Sequence, residues 1–392
     1  MLLFSRQASF PRTHLLIVPM CILLLCKTTN SHAVIEQSLI LPISFEYESN
    51  PSFSVTNEQE INRLIFVPSY SLTVNRETEQ WNADLSFRIE RSPDQTISQD
   101  RNDPLLNLGW KHDYETGQFS ATAILNDQST RISEFTDDGP VEFTNSSLET
   151  GDNTQKRRSL FLGWQKNVSD RTIFILNGEI TNMAFEGPSA LDLVGYRNDS
   201  LNASLNFPLS GRVETFTQLY ASRYNPEGTN NSSSESRGFN IGVKWHGNEN
   251  FNITASAGPN ETISNGQIQS IHKSWQAIMS MQYSTLKTNS YFSASRSRSP
   301  GSTGNINEQN RIVAGWKYVV NERDNVALDF TWGQNLTLNK IETKSLIAKY
   351  TKNISIAMDF SLSAIHRNRE DTLTKSYSNS VMASIIYNIP DF

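Results

Sequence analysis

The stretch Asn353 to Asn368, NISIAMDFSLSAIHRN, decides the fold of this 392-residue chain. Apolar side chains take every second position from Ile354 to Ala364, with Ser, Asp and Ala between them. Successive side chains of a β-strand point to opposite faces, so the segment predicts a strand with one apolar and one polar face. The alternation is about twice as long as a usual strand of about 5–6 residues. It matches the roughly 9–11 residues that a tilted strand needs to cross a bilayer.

The same alternation recurs along the chain, whereas an amphipathic helix repeats its apolar positions at intervals of three and four. Further examples are QWNADLSFRIE from Gln80, GFNIGVKWH from Gly238, KSWQAIMSMQY from Lys273 and NVALDFTW from Asn325. A strand sheet in lipid must close on itself, because unpaired backbone groups there cost several kcal/mol each. A soluble β-sandwich also alternates, but its strands are shorter.

The connections between these strands alternate in length. Long polar links are predicted near 48–62, 91–103, 127–157, 181–197, 225–237, 258–272, 299–309, 334–343 and 366–375. Short turns are predicted near 75–79, 114–117, 167–170, 208–212, 247–250, 285–288, 321–325 and 351–353. Long loops on one side and short periplasmic turns on the other are typical of outer-membrane barrels. The chain is therefore predicted to be all-β, a transmembrane antiparallel up-and-down β-barrel of about 18 strands, with 14–18 as the range.

The chain begins with a predicted export signal, residues 1–33, and residues 34–392 form the predicted barrel. Two arginines precede the apolar run from Leu15 to Cys26, which is too short for a membrane-spanning helix. Small residues precede the expected cleavage site after Ala33. Lipidation of Cys26 is the alternative, although Leu25 stands where a small residue is expected.

Composition narrows the possible partners. Both cysteines, Cys21 and Cys26, lie in the signal, so a disulfide framework is not expected in the mature chain. Removing the signal with its three cations leaves 31 Lys and Arg against 40 Asp and Glu, a net charge of −9. This acidic balance argues against a nucleic-acid partner.

No catalytic, cofactor or metal motif stands out. The four remaining histidines, His112, His246, His272 and His366, are scattered, whereas metal sites need clustered ligands. Ser361 and Ser363 precede His366 but have the opposite parity, which does not match a lipase-like Ser–His pair on one face. The sequence therefore predicts neither an enzyme nor a cofactor.

The polar positions of the alternating strands provide the candidate site, which is the set of charged residues that would line the lumen. Charged residues on that parity are Glu46, Asp84, Arg88, Glu90, Lys244, Arg311, Lys317, Asp329, Lys349 and Asp359, extended by Glu48, Arg296 and Arg298. In a closed barrel they form an acidic arc and a basic arc; the alternative is that they pair with one another or only solvate the interior. The longest loop, 127–157, either narrows this lumen or covers its mouth.

Tryptophans supply a candidate aromatic girdle at the membrane boundary. All seven share the apolar parity, most of them near a strand end: Trp81, Trp110, Trp164, Trp245, Trp275, Trp316 and Trp332. Indole combines an apolar body with one N–H group, and this favours the membrane–water interface.

The first strand and the chain end carry a family resemblance. Phe45-Glu46-Tyr47-Glu48-Ser49-Asn50-Pro51 follows the signal, and the chain ends in an alternating strand with Phe392 as its last residue. Pro390 puts Phe392 out of phase with Ile389. The opening resembles bacterial outer-membrane β-barrels found with exopolysaccharide and exosortase (PEP-CTERM) systems. The resemblance implies a barrel that exports or accommodates a surface polymer, and it carries over no functional residues.

Together these features predict an integral barrel of the bacterial outer membrane that acts as a passive pore for a polysaccharide or a hydrophilic solute. A general small-solute porin and a structural or adhesive barrel with a blocked lumen are the alternatives. The expected partners are outer-membrane lipid and, through the C-terminal strand, the barrel-assembly machinery.

Overall fold

The computed structural model describes residues 33–55, 58–95, 97–130, 153–187, 193–228, 232–265, 269–301, 304–337, 340–372 and 374–390. It is built from strands, each pairing antiparallel with its neighbours. They are β1 Val34–Glu48, β2 Ile61–Phe66, β3 Ser69–Asn75, β4 Glu79–Arg91, β5 Arg101–Tyr114, β6 Gly117–Ser129, β7 Thr154–Ser169, β8 Thr172–Glu186, β9 Tyr196–Pro208, β10 Val213–Pro226, β11 Ser233–Asn248, β12 Phe251–Asn265, β13 Gln269–Ser284, β14 Thr288–Pro300, β15 Ile306–Val319, β16 Asp324–Asn335, β17 Glu342–Ser355, β18 Met358–Glu370 and β19 Lys375–Pro390. No helix among the described residues is long and apolar enough to span a membrane.

The segments β2 and β3 are two halves of one strand. Both pair with β1 and with β4, and the register against each neighbour is the same on either side of the break. The break falls at Val67 and Pro68, where proline has no N–H to donate to the ladder. The Pro68 carbonyl still accepts from the Phe87 N–H at 3.1 Å. The nineteen segments therefore make the 18 strands that the sequence predicts.

The first and last strands close the barrel. β1 pairs with β19 from Ser38↔Pro390 to Glu48↔Ser380. The hydroxyl oxygens of Ser44 and Ser384, 340 residues apart in sequence, lie 2.7 Å from each other. Closure removes both sheet edges and so satisfies the backbone hydrogen bonds of the outermost strands.

Connections of two kinds alternate as predicted, but several predicted long links are mostly strand. Residues 258–265 and 269–272 belong to β12 and β13, although they were expected to form one link. Their sequence loses the apolar alternation while the ladder continues as far as Asn265↔Gln269. The extension needs no continuous apolar face, because strand pairing depends on backbone hydrogen bonds.

The last short turn lies five residues later than predicted. β17 continues to Ser355, so the turn consists of Ile356 and Ala357 instead of residues 351–353. A register irregularity between Asn353 and Ser355 accommodates this extension. Ile354 and Ile356 are accordingly at the barrel end, and Ile356 is 98% exposed. The membrane-crossing part of the opening stretch begins at Met358.

The two faces of the wall differ as the alternation predicts. Side chains on the concave inner face crowd together, and the buried set is dominated by Ser, Thr, Asn, Glu and Arg, such as Ser361 and Ser363 at 4% exposure each. Large apolar side chains, such as Leu219, Ile241 and Leu362, are exposed on the convex outer face. A closed barrel with an apolar exterior is the architecture of outer-membrane proteins. The chain is an integral barrel of the bacterial outer membrane.

Candidate functional site

The strand register places all ten principal lumen candidates on the inner face, from Glu46 on β1 to Asp359 on β18. Most of their charges have partners. The Lys244 ammonium lies 2.6 Å from Glu214 Oε1. The Asp329 and Asp359 carboxylates accept hydrogen bonds from Tyr291 Oη and Asn388 Nδ2, both at 3.0 Å.

The acidic side of the lumen is neutralised by an arginine that sequence reasoning missed. Arg63 on β2 lies between Glu46, Glu48 and Glu90, and its side chain is 1% exposed. Arg63 Nη2 is 2.9 Å from Glu46 Oε2, and Arg63 Nε is 3.3 Å from Glu90 Oε1. Arg63 also contacts Glu48. The predicted acidic arc is therefore a paired cluster, because each of these carboxylates shares one guanidinium.

Two further arginines complete this cluster. Arg88 Nη2 lies 3.1 Å from Glu90 Oε2, and Arg367 Nη1 on β18 lies 3.1 Å from Glu48 Oε1. The Ser378 hydroxyl donates to the same Glu48 oxygen at 2.8 Å. Buried charges are stable only when they are paired and hydrogen-bonded, so this network fixes β1, β2, β4 and β18 relative to one another.

Two predicted lumen cations have a different environment. Lys317 on β15 and Lys349 on β17 both pair in register with Ala327 on the strand between them. Their side chains are exposed, and no carboxylate of the described residues lies within ion-pair distance of either. The β15–β17 wall therefore carries two exposed cations on its inner face that have no carboxylate partner among the described residues.

A hairpin that folds inward narrows the lumen. β14 pairs with β13 only from Asn289 to Arg296, yet it continues with β15 up to Pro300↔Ile306. Ile306 packs against the buried cluster of Met183, Tyr196 and Tyr224, which lies on the inner faces of β8, β9 and β10. The Tyr224 hydroxyl donates to the Gly301 carbonyl at 2.9 Å. The hairpin end is thus anchored to the wall four strands away.

Two predicted lumen arginines lie on the outward positions of β14, and only one of them reaches the interior. Arg296 lies on the outward parity, since it pairs with Ala277 and Asn310. Arg298 shares that parity but reaches the interior because the hairpin itself turns inward; its side chain is 9% exposed. Glu308 on β15 accepts from Arg296 Nε at 2.7 Å and lies 3.8 Å from Arg298 Nη2.

Truncation of the hairpin anchor tests whether this element limits flow. We expect Tyr224→Ala to raise single-channel conductance on the order of two-fold, because the hairpin end loses its hydrogen bond and its packing surface. Tyr224→Phe is the matched control: it removes only the hydroxyl and should stay close to the parent. Equal conductance for Tyr224→Ala and the parent protein in planar bilayers would show that the hairpin does not limit flow.

All seven tryptophans lie on the outward face, with Trp275 the most exposed at 67%. Trp332 Nε1 donates to Glu342 Oε1 at 2.9 Å near the loop-side end of its strand. On β13 the outward positions from Trp275 to Tyr283 are apolar throughout, and Lys273 follows beyond Trp275. This strand gives the clearest outline of an apolar band with an aromatic residue at each end.

The four histidines lie on four different strands, and the described residues contain no group of three potential metal ligands. Several predicted features fall outside the described residues. They are the signal up to His32, Phe392 at the chain end and most of the loop 127–157, whose residues 131–152 carry the acidic segment expected to narrow or cover the lumen.

Comparisons with known proteins find similarity in solved structures only. No family model matches the chain, and no curated protein matches it. A crystal structure of OpdK from Pseudomonas aeruginosa with vanillate has a TM-score of 0.48 at 11% identity, covering 91% of this chain and 98% of that one. OccAB4 from Acinetobacter baumannii has a TM-score of 0.49 at 8% identity, covering 92% of this chain and 100% of that one. At these values the similarities carry no conclusion about function, and the barrel assignment rests on the strand register.

Proposed function

We propose that the protein is a passive pore for small hydrophilic solutes across the outer membrane. The observation that carries the proposal is the inward-folded β14–β15 hairpin inside a closed barrel with a polar inner wall. A hairpin anchored at Gly301 leaves a polar lumen that is narrowed at one level. This is the general plan of a pore that selects by size and charge.

The side chains of the inner wall favour the passage of uncharged or anionic solutes. Its hydroxyl and amide side chains can exchange hydrogen bonds with a solute that leaves water. The acidic cluster around Arg63 is already neutralised, whereas Lys317 and Lys349 remain available. We propose that these two lysines attract anions and that the seven tryptophans form the membrane-boundary girdle.

The narrowing favours small solutes over a polymer. Export of a polysaccharide requires continuous room along the whole lumen, and the hairpin occupies part of it. No comparison supports the association with exopolysaccharide systems. We also propose that the signal is cleaved after Ala33 and that the barrel-assembly machinery recognises the C-terminal strand. These two steps bring the barrel to the outer membrane.

Planar-bilayer recording tests the pore directly. Folded, heat-modifiable protein should give discrete conductance steps, and Lys317→Glu with Lys349→Glu should shift the reversal potential in a salt gradient toward cation preference. The control Lys352→Glu reverses one lysine on the outward face of β17 and should leave selectivity unchanged. A folded barrel without conductance would contradict the pore and favour the structural or adhesive alternative.

A further inference from the structure

The barrel wall has a notch between β13 and β14. Pairing across this seam ends at Ala277↔Arg296, whereas β13 continues upward for eight more residues, 269–276. Those residues keep their pairing with β12 up to Asn265↔Gln269, and β14 keeps its pairing with β15. The inward fold of the β14–β15 hairpin therefore separates two strands that are each still held on their other side.

The notch opens at the level of the lipid headgroups. Trp275 marks the upper end of the apolar band on β13, and the missing pairs begin beside it. An unpaired strand edge is too costly inside hydrocarbon, where water cannot satisfy its N–H and C=O groups. At the headgroup level water and polar groups are available, so the wall can remain open there.

Cations surround the notch. Lys273 lies on its β13 side, and Arg296 and Arg298 lie on its β14 side. The facing charges are Arg237, Glu261 and Glu308, together with His272, whose Nε2 is 3.7 Å from Glu308 Oε2. Arg237 pairs with Glu261 at 3.2 Å, and Glu308 is shared by Arg296 and Arg298. With His272 neutral, this set has two more cations than carboxylates.

A shallow apolar groove crosses the strands of the outer wall at the foot of the notch. Three alanines form its floor on β12, β13 and β14, and larger apolar side chains form its sides; the residues are Ala257, Ala277, Ala294, Ile241, Met279 and Ile312. The groove has a volume of about 770 Å³ and reaches Arg296 at its upper end. An alkyl chain fits the groove while an anionic head group meets the cations above it.

We propose that the notch between β13 and β14 is a lateral portal through which a single-chain anionic amphiphile, a long-chain carboxylate, passes between the outer leaflet and the lumen. The alkyl chain occupies the alanine-floored groove. The carboxylate pairs with Arg296 at the mouth and then turns inward toward Arg298. This route is separate from the axial passage of small hydrophilic solutes.

Disulfide trapping tests whether the notch is open. Gln276→Cys with Ser297→Cys places thiols where the first missing inner-face pair would lie if the seam continued in register. Ser280→Cys with Ser293→Cys is the matched control, an inner-face pair that is in register on the same seam. Mild oxidation in outer membranes should bridge the control at least about ten-fold faster, because its Cα atoms already lie within bridging range. Equal rates would show that the strands pair to the top and would overturn the portal.

Uptake of palmitate then tests whether a long-chain carboxylate passes through the notch. With the notch bridged by prolonged oxidation or a short bismaleimide, cells carrying the protein should take up radiolabelled palmitate at least about five-fold more slowly, with recovery of the disulfide form on reduction. The bridged control pair should leave palmitate uptake unchanged. Liposome swelling with a monosaccharide should be unaffected in both, which reports on the axial pore separately. Unchanged palmitate uptake, or equal loss of palmitate and sugar, would overturn the lateral route.

Discussion

Replacement of Arg63 by methionine is expected to lower the free energy of unfolding by about 3–5 kcal/mol, the usual cost of removing one partner from a buried ion cluster. The reason is that Glu46, Glu48 and Glu90 would remain buried without the guanidinium they share. Arg88 and Arg367 contact only the second carboxylate oxygen of Glu90 and of Glu48, which Arg63 does not contact. Urea titration of the protein folded in lipid vesicles measures the difference.

The control for this substitution is Arg237→Met. Arg237 also pairs with a glutamate, at 3.2 Å, but its side chain is 68% exposed. An exposed pair contributes about 0–1 kcal/mol, so the two substitutions should differ by several-fold in their effect. Glu46→Gln and Glu48→Gln added to Arg63→Met should restore part of the loss. Equal effects of Arg63→Met and Arg237→Met would contradict the role assigned to the buried cluster.

Met279→Arg is the second substitution with a large expected effect. Met279 faces outward on β13, midway between Trp275 and Tyr283, and is therefore placed at the centre of the apolar band. An arginine on the lipid face at the bilayer midplane costs about 2–4 kcal/mol. The loss should appear in the same unfolding titration and should shrink in bilayers of shorter lipids, which bring the headgroups closer to this position.

The neighbouring Ser280→Arg is the control, because Ser280 faces the lumen on the same strand. Water in the lumen solvates the guanidinium there, so stability should change by less than about 1 kcal/mol. If the two neighbouring arginines were equally costly, the assignment of the outer and inner faces would be wrong.

The alternation of side chains, together with the alternation of connection lengths, was enough to predict about 18 strands and most of the faces. Asp84, Lys244 and Lys349 were assigned to the inner face from parity, and the register places them there. Parity holds over long distances because a strand cannot shift by one residue without exchanging its two faces. The same reasoning put Arg296 on the wrong face, since the segment around it, SASRSRSP, has polar residues on both parities.

Arg63 was missed for a related reason. Its segment, INRLIF, carries Ile61 and Ile65 on the inner parity and Leu64 and Phe66 on the outer one. A strand that is apolar on both faces gives no parity signal, and the residues up to 62 were assigned to a loop. The ion cluster depends on β1, β2, β4 and β18 meeting at closure, and no local pattern contains that information.

The inward-folded hairpin was also beyond local prediction. Residues 299–309 read as a surface link, and the loop expected to enter the lumen was 127–157. What turns the hairpin inward is contact with residues remote in sequence, namely Met183, Tyr196 and Tyr224. Tyr224 is fully buried, yet its own strand shows an unclear phase. An aromatic residue on the polar parity of a barrel strand is the one sequence signal that points to an inner packing surface.

The first and last strands meet in the membrane to close an 18-strand barrel, and one cysteine pair tests this closure most directly. Ser44→Cys with Ser384→Cys joins β1 to β19 at a register pair whose hydroxyls lie 2.7 Å apart. In isolated outer membranes, mild oxidation should bridge this pair completely and reversibly. The disulfide closes almost the whole chain into one covalent ring, and this ring should change the electrophoretic mobility of the protein. Ser44→Cys with Ile385→Cys, whose second thiol faces outward, should not bridge. Absence of the first bridge, or equal bridging of both pairs, would contradict the closed barrel.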